Sequence, residues 1–120
     1  MPVYRTPNGL AYSGLSVAMS AASGVTEGVD LEGCNTKVSA AAALRVLTGG
    51  TAPTVTVTLE TSPNNTDWFT VAAVGAAMSA AAQTREYRTE AVYHRFVRFS
   101  WATTGAPTTA TVDVYVNATK

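Results

Sequence analysis

The chain has 120 residues, with eight Lys or Arg against eight Asp or Glu, so its formal net charge is zero. This length suits one domain with one modest core and excludes a multidomain chain, and zero net charge excludes a global field that attracts nucleic acid or anionic membranes. Only 13% of the residues are charged and 47% are hydrophobic, which excludes a solvated disordered tail and favours association with other chains.

Residues 1–35 are predicted to form an extended N-terminal arm with one or two short strands, because Gly and Pro interrupt its short apolar pieces. The uncharged stretch 10–22 is too broken for a signal peptide or membrane span, so we expect a soluble, unprocessed protein. The arm is too apolar for a free tail, and we expect it to dock on another chain. The residues expected to make that contact are Val3, Tyr4, Leu10, Tyr12, Leu15 and Val17.

Residues 36–120 are predicted to form a β-sandwich domain. Apolar and polar residues alternate with the period of a strand most clearly at 54–60, and again at 94–102 and 110–117. The segment 38–47 also alternates, with one face formed by Val38, Ala40, Ala42, Leu44 and Val46. The expected core includes Val55, Val57, Leu59, Val71, Val97, Phe99, Val112 and Val114.

The connections between these strands complete the expected fold. Gly and Pro at 48–53 and 103–107 predict hairpin-type turns, and the two turn-and-strand segments resemble each other in sequence. The Ala-rich segment 75–84 is predicted to be a loop, and 85–90 an edge strand. The sequence therefore predicts an all-β protein with a single antiparallel β-sandwich of Greek-key or jelly-roll type.

Residues that carry enzymatic or metal chemistry are few. Cys34 is the only cysteine and His94 the only histidine, which excludes an internal disulfide, a thiolate zinc site and any centre that needs two histidines. The acidic residues Glu27, Asp30 and Glu32 are too loosely spaced for a calcium loop and favour a solvated or salt-bridged face. We predict no catalytic activity, no metal and no cofactor.

A basic group lies near the C-terminal third of the chain. It consists of Arg85, Arg88, Arg95 and Arg98, interleaved with aromatic residues as in single-strand nucleic-acid binders. Two glutamates reduce the net charge of 85–98 to +2 (four Arg minus two Glu), which disfavours nucleic acid. We expect these arginines to pair with carboxylates in an assembly, first of all with Glu27, Asp30 and Glu32 of the same or an adjacent protomer.

The two tryptophans keep a second class of function open. Exposed aromatic faces stack on sugar rings, so Trp68 and Trp101 are compatible with a carbohydrate-binding module. The structural alternative is that Trp68 closes the loop after Asn65 and that Trp101 belongs to the core.

Two segments of the chain resemble small structural proteins of tailed bacteriophages. The first runs from Leu47 to Trp68 and contains Gly-Thr-Ala-Pro-Thr followed by Leu-Glu-Thr-Ser-Pro-Asn-Asn-Thr-Asp-Trp. The second is Phe96-Val-Arg-Phe-Ser-Trp-Ala-Thr-Thr-Gly-Ala-Pro-Thr108, followed by an alternating last strand. In that group such turns, a loop ending in Trp and a Phe-Val-Arg strand recur on a β-sandwich, and the resemblance covers about residues 38–117.

The resemblance implies a non-enzymatic structural protein of the virion. It fits best a capsid decoration, or cement, protein that stabilises the assembled head, and the alternative is a head-tail connector or tail component. The implied partners are other virion proteins, above all the major capsid protein, and further copies of the chain as a homo-oligomer. No specific nucleic acid and no membrane is implied. The implied location is the capsid surface, after synthesis in the cytoplasm of the bacterial host.

Overall fold

The computed structural model describes residues 3–6, 9–33, 37–79, 85–90 and 94–119. This described part contains strands and no helix, which confirms the all-β prediction. Its strands are β1 (Val3–Thr6), β2 (Gly9–Ala18), β3 (Ser23–Val25), β4 (Val29–Asp30), β5 (Lys37–Thr48), β6 (Thr54–Ser62), β7 (Phe69–Met78), β8 (Arg85–Glu90), β9 (Phe96–Thr104) and β10 (Thr109–Thr119).

The strands form two antiparallel sheets that pack face to face. Sheet A has the order β1-β2-β10-β5-β8, and sheet B has the order β3-β9-β6-β7 with β4 also paired to β9. The predicted β-sandwich is therefore confirmed. β8 lies at the edge of sheet A, as its charged sequence predicts. The loop predicted at 75–84 is wrong for residues 75–78, which continue β7, and residues 80–84 lie outside the described part.

The core lies between the sheets and matches the alternation in the sequence. Seven of the eight expected core residues are buried, and Val71 is partly buried against them. Leu59 on β6 lies opposite Phe99 on β9, and Val112 on β10 lies opposite Leu44 on β5. Each pair faces the other sheet because every second residue of a strand points to the same side.

The expectation that the N-terminal segment docks on another chain is wrong for two of the six predicted contact residues, Leu10 and Tyr12. β2 pairs with β10 along its length, and Leu10 and Tyr12 on β2 are buried in the chain's own core. Met19, directly after β2, is fully buried there as well. Gly9 and Gly14 lie within β2, and the alternation inside this strand suffices to bury one of its faces.

The two turns at 48–53 and 103–107 are not hairpins. The first carries the chain from β5 in sheet A to β6 in sheet B, and the second returns it from β9 to β10. They stack on each other, because the Thr51 N–H donates to the Gly105 carbonyl at 2.9 Å and the Thr108 N–H to the Thr48 carbonyl at 2.9 Å. Their sequence similarity reflects this shared task of crossing between the sheets.

Candidate functional site

The predicted pairing of arginines with acidic residues occurs first between Arg95 and Asp30, where β4 lies beside the start of β9. Nε and Nη2 of Arg95 donate to Oδ1 and Oδ2 of Asp30 at 2.9 and 2.7 Å. The hydrogen bonds from this guanidinium hold the pKa of the Asp30 carboxyl below its usual range. The pair forms within one chain, so Arg95 is already neutralised before any assembly.

Arg5 on β1, which the sequence analysis missed, joins the same cluster. Its Nη1 donates to the Asp30 carbonyl at 3.2 Å and lies 3.3 Å from Oε2 of Glu32. The Glu32 N–H donates to Oδ1 of Asp30 at 2.9 Å. These carboxylates are therefore held by arginines and a backbone amide. No group of three or more His, Cys, Asp or Glu among the described residues is placed to hold a metal ion.

Glu27 is exposed, and its charge acts on Tyr12. Burial and, to a smaller extent, the negative charge of Glu27 raise the pKa of Tyr12, and a hydrogen bond with Thr26 lowers it, so that the pKa is raised to about 12. Tyr12 is thus an internal residue with a neutral phenol at physiological pH. It does not serve as the external contact that the sequence predicts.

Arg98 has an acidic partner that the sequence analysis did not name. β6 and β9 place Glu60 directly opposite Arg98, and Nε of Arg98 donates to Oε1 of Glu60 at 2.7 Å. The Arg98 guanidinium also lies over the Trp68 ring, 4.2 Å from its centroid. Both Glu60 and Arg98 occupy outward positions of alternating strands, but only the strand register brings them together.

The tryptophans give no support to a sugar-binding platform. The Trp68 ring is covered by the Arg98 guanidinium. Trp101 is partly buried against the core, and a Cβ added at Gly24 would lie 2.2 Å from its Cζ2 atom. Both rings therefore make structural contacts, as the alternative interpretation predicts. Among the described side chains, Phe69 is an exposed aromatic residue, and its ring centroid lies 5.9 Å from that of His94.

The remaining predicted contact residues fall into three groups. The side chains of Tyr4, Arg85 and Arg88 lie outside the described part of the structure, as does Cys34. Val3 and Val17 are partly buried and pack against the core. Leu15 is the one predicted N-terminal contact among the described side chains that is largely exposed, at 61%.

Leu15 faces outward by the alternation of β2, in which Leu10, Tyr12 and Gly14 are buried, and a bulge lies at the same point of the strand. The register pairs Val17 with Val112 and Gly14 with Val114, so Leu15 and Ser16 both face the single residue Asp113 of β10. Ser16 adopts a φ of 53°, in the left-handed region, which turns the chain outward at this point.

A second bulge lies on the other side of β10. The register pairs Leu44 with Val112 and Val46 with Thr111, so Arg45 is the extra residue of β5. Beyond it the alternation changes phase: Leu47 is buried and Val46 is 42% exposed. The predicted position of Val46 on the same face as Leu44 is therefore wrong, because a bulge reverses the faces of the residues that follow it.

Asp113 holds both bulges. Its Oδ1 accepts the Ser16 N–H at 2.7 Å, and its Oδ2 accepts Nε of Arg45 at 2.5 Å. Burial would raise the pKa of Asp113, but the Ser16 amide and the Arg45 guanidinium outweigh it, so the pKa lies below its usual range. We refer to Leu15, Ser16, Val46 and Thr111, on the outer face of sheet A beside this carboxylate, as the bulge patch.

Charged residues are segregated along the molecule. None occurs in four segments that the strand pairing brings to one end: 14–26, 46–59, 70–79 and 99–112. We call these segments the uncharged end. It carries three of the four large exposed hydrophobic residues found among the described residues, namely Leu15, Val25 and Val46. The ion pairs of Asp30, Glu32 and Glu60 lie towards the opposite end of the sheets.

Two further findings concern the membrane and the curated proteins. The described residues contain no helix that is both long and apolar enough to span a membrane. None of the curated proteins matches the sequence.

Solved structures with a similar fold were found. The PBSX exported protein XepA matches over 91% of this chain at 20% identity with a TM-score of 0.63, and this chain spans 36% of XepA. A Bacillus endospore appendage protein matches over 92% of this chain and 84% of its own at 15% identity, with a TM-score of 0.41. PorU of Porphyromonas gingivalis matches over 87% of this chain and 10% of its own at 11% identity, with a TM-score of 0.48. Of these three, the XepA match exceeds a TM-score of 0.5, and it shows a shared fold.

A family model matches residues 39–120, which comprise β6 to β10 and all but the first two residues of β5. The chain belongs to the family described as a domain of unknown function, DUF6385.

Proposed function

We propose that this chain is a non-enzymatic structural subunit of a phage particle, and specifically a capsid decoration protein that binds the assembled head. The observation that carries the proposal is the uncharged end, where Leu15, Val25 and Val46 are exposed on segments that contain no charged residue. The fold shared with the PBSX exported protein XepA is compatible with this proposal.

The ion pairs explain why apolar contact should dominate such binding. Among the described basic side chains, Arg5, Arg45, Arg95 and Arg98 each have a carboxylate partner within the chain. Groups that are already paired contribute little to attraction at a distance. Burial of apolar surface then remains as the main favourable term, at about 25 cal/mol per Å².

A decoration protein acts by binding the shell and not its separate subunits. Such a ligand stabilises the shell by mass action, by about 4 kcal/mol per site at a concentration roughly 1,000-fold above Kd. The elongated shape, with extents of 45 × 25 × 21 Å, suits end-on contact through the uncharged end. The opposite, ion-paired end then faces the solvent.

The test uses the phage or prophage whose genome encodes this chain. Heads from a deletion strain are mixed with purified chain, sedimented, and assayed for bound protein and for the temperature of DNA release. We expect the wild-type chain to bind the heads and to raise that temperature. Binding to purified tails or connectors and not to heads would support the connector or tail alternative against decoration.

Matched variants locate the contact. Thr51→Asp places a charge at the exposed turn of the uncharged end, and Lys37→Glu changes a charge at the exposed start of β5, at the other end. We expect Thr51→Asp to reduce head binding at least tenfold and Lys37→Glu to leave it within twofold. Equal effects of the two variants would refute docking through the uncharged end.

A further inference from the structure

We propose that two alanine methyl groups, those of Ala52 and Ala106, are contact groups of the uncharged end with the shell. The inference rests on the proposed binding to assembled heads and adds the chemistry of the partner surface. That surface is an uncharged part of the shell with two shallow apolar depressions, each of which takes one methyl group. Ala52 lies in the turn at 48–53 and Ala106 in the turn at 103–107, which we call the crossing turns, and both residues are exposed.

The two alanines share a backbone conformation that their side chains disfavour. Ala52 has a φ of 45° and Ala106 a φ of 49°, in the left-handed region where a Cβ atom is crowded. Each precedes a proline, and a residue in that position favours an extended backbone. Glycine adopts the left-handed conformation without this penalty, so the path of the turns does not require the methyl groups. Strain of this kind is concentrated at binding sites.

Packing between the crossing turns does not require the methyl groups either. The turns touch at Gly50 and Gly105, where a Cβ atom would collide with the carbonyl oxygens of Gly105 and Thr51, respectively. Glycine is present where the turns leave no room for a side chain. Ala52 and Ala106 lie beside this contact and are exposed, so their methyl groups are presented to the outside.

The other left-handed residues that are not glycine in the described part differ from these two. Ser16 in the bulge patch and Ala77 in a bulge of β7 each donate their N–H to a side chain, which holds the bulge. The Glu32 N–H is held by a carboxylate in the same way, and Asn65 is of a residue type that readily adopts this conformation. The crossing turns instead place a strained alanine before a proline twice, in two turns of similar sequence that lie together.

The surroundings of the two methyl groups restrict what can bind them. The segments 46–59 and 99–112 contain no charged residue. A charged group of the shell placed here would lose its water without gaining a partner, so an apolar depression is favoured. The turns are already joined by the hydrogen bond from the Thr51 N–H to the Gly105 carbonyl. Little conformational entropy is therefore lost when the methyl groups bind.

The test measures the affinity of purified full chains for heads from the deletion strain, by sedimentation over a range of concentrations. Ala52→Gly and Ala106→Gly should each weaken head binding about fourfold, as expected for one buried methyl-sized group, and the double variant by more than about tenfold. Thermal unfolding should show that neither change lowers the Tm. A loss of affinity without a loss of stability separates a contact from a structural role.

The matched control is Ala77→Gly, which makes the same substitution at a left-handed alanine outside the crossing turns. It should leave head binding within twofold. Ala52→Asn and Ala106→Asn give a second, independent pair, because asparagine adopts the left-handed conformation but is too large for a depression that takes a methyl group. Each should weaken head binding at least tenfold without lowering the Tm.

Failure of this inference is distinguishable from failure of the proposed function. If the wild-type chain binds heads and the glycine and asparagine variants bind them as tightly, the two methyl groups are not contacts, and decoration remains intact. An equal loss of affinity in Ala77→Gly would also overturn the inference. A wild-type chain that does not bind heads would refute the proposed function and this inference with it.

Discussion

The carboxylate of Asp113 accepts the backbone N–H of Ser16 at 2.7 Å, across a sequence separation of 97 residues. This contact fixes the bulge in β2, and the same carboxylate reaches Arg45 in the bulge of β5. Removal of the Asp113 side chain takes the acceptor from the Ser16 amide in a part-buried hydrogen bond and the carboxylate partner from Arg45.

Asp113→Ala should therefore lower the free energy of unfolding by about 1–3 kcal/mol. Urea denaturation followed by tryptophan fluorescence measures the change. Glu32→Ala removes an exposed carboxylate and serves as the control, with little effect expected. Equal loss in the two variants would mean that the Asp113 contacts do not stabilise the bulges.

Stability should fall in acid because the carboxyls of Asp30 and Asp113 both have a lowered pKa in the folded state. A lowered folded pKa gives stability that is fully present above the unfolded value of about 3.9 and is lost as the pH falls through the folded value. Urea midpoints should thus be flat from pH 7 to about pH 5 and should decline below about pH 4. Asp113→Asn should make this decline shallower, and an unchanged decline would contradict the role of Asp113.

Two alanines in the crossing turns adopt a backbone that favours glycine. Ala52 has a φ of 45° and Ala106 a φ of 49°, and each precedes a proline. Glycine relieves the left-handed strain of about 1–2 kcal/mol but loses more entropy on folding. We therefore expect Ala52→Gly and Ala106→Gly to change stability by between 0 and about +1 kcal/mol.

The control for these turns is Ala41→Gly in β5, where the backbone is extended. Glycine inside a strand lowers stability by about 0.5–1 kcal/mol. Thermal unfolding should give an unchanged or higher Tm for Ala52→Gly and Ala106→Gly, and a lower Tm for Ala41→Gly. If all three lost stability alike, the strain at Ala52 and Ala106 would have no energetic consequence.

Arg98 should contribute to stability through two contacts at once, the Glu60 carboxylate and the Trp68 ring. Arg98→Ala breaks both and should cost about 1–3 kcal/mol. Arg98→Lys keeps the charge but loses the planar group, so it should fall between the wild type and Arg98→Ala. A double-mutant cycle with Trp68→Leu measures the contact between the Arg98 guanidinium and the Trp68 ring separately. A coupling free energy of zero would show that this contact does not contribute to stability.

The local alternation of apolar residues was sufficient to predict most of the core. Val55, Val57 and Leu59 on β6 alternate without interruption, and all are buried. The same rule failed at Val46, because the bulge at Arg45 depends on Asp113, which is far away in the sequence. A single sequence does not reveal a bulge whose anchor lies on another strand.

Long-range register accounts for the other errors. The pairing of Arg95 with Asp30 was predicted from charge alone, whereas that of Arg98 with Glu60 requires the alignment of β6 with β9. The turns at 48–53 and 103–107 have residues typical of hairpins, but turn chemistry does not specify whether the next strand joins the same sheet or the opposite one. The sequence predicted one or two short strands in residues 1–35, but the glycines and prolines there gave no sign of the ten-residue strand β2 or of its pairing with β10.

The most direct test of the account is a three-dimensional reconstruction, by electron cryomicroscopy, of particles made by the phage that encodes this chain. The account predicts an additional density of about the size of this sandwich, 45 × 25 × 21 Å, on the outer surface of the head. The turns at 48–53 and 103–107 should face the shell and the Arg95–Asp30 pair should face the solvent. A head surface without this density, or a sandwich docked through its ion-paired end, would contradict it.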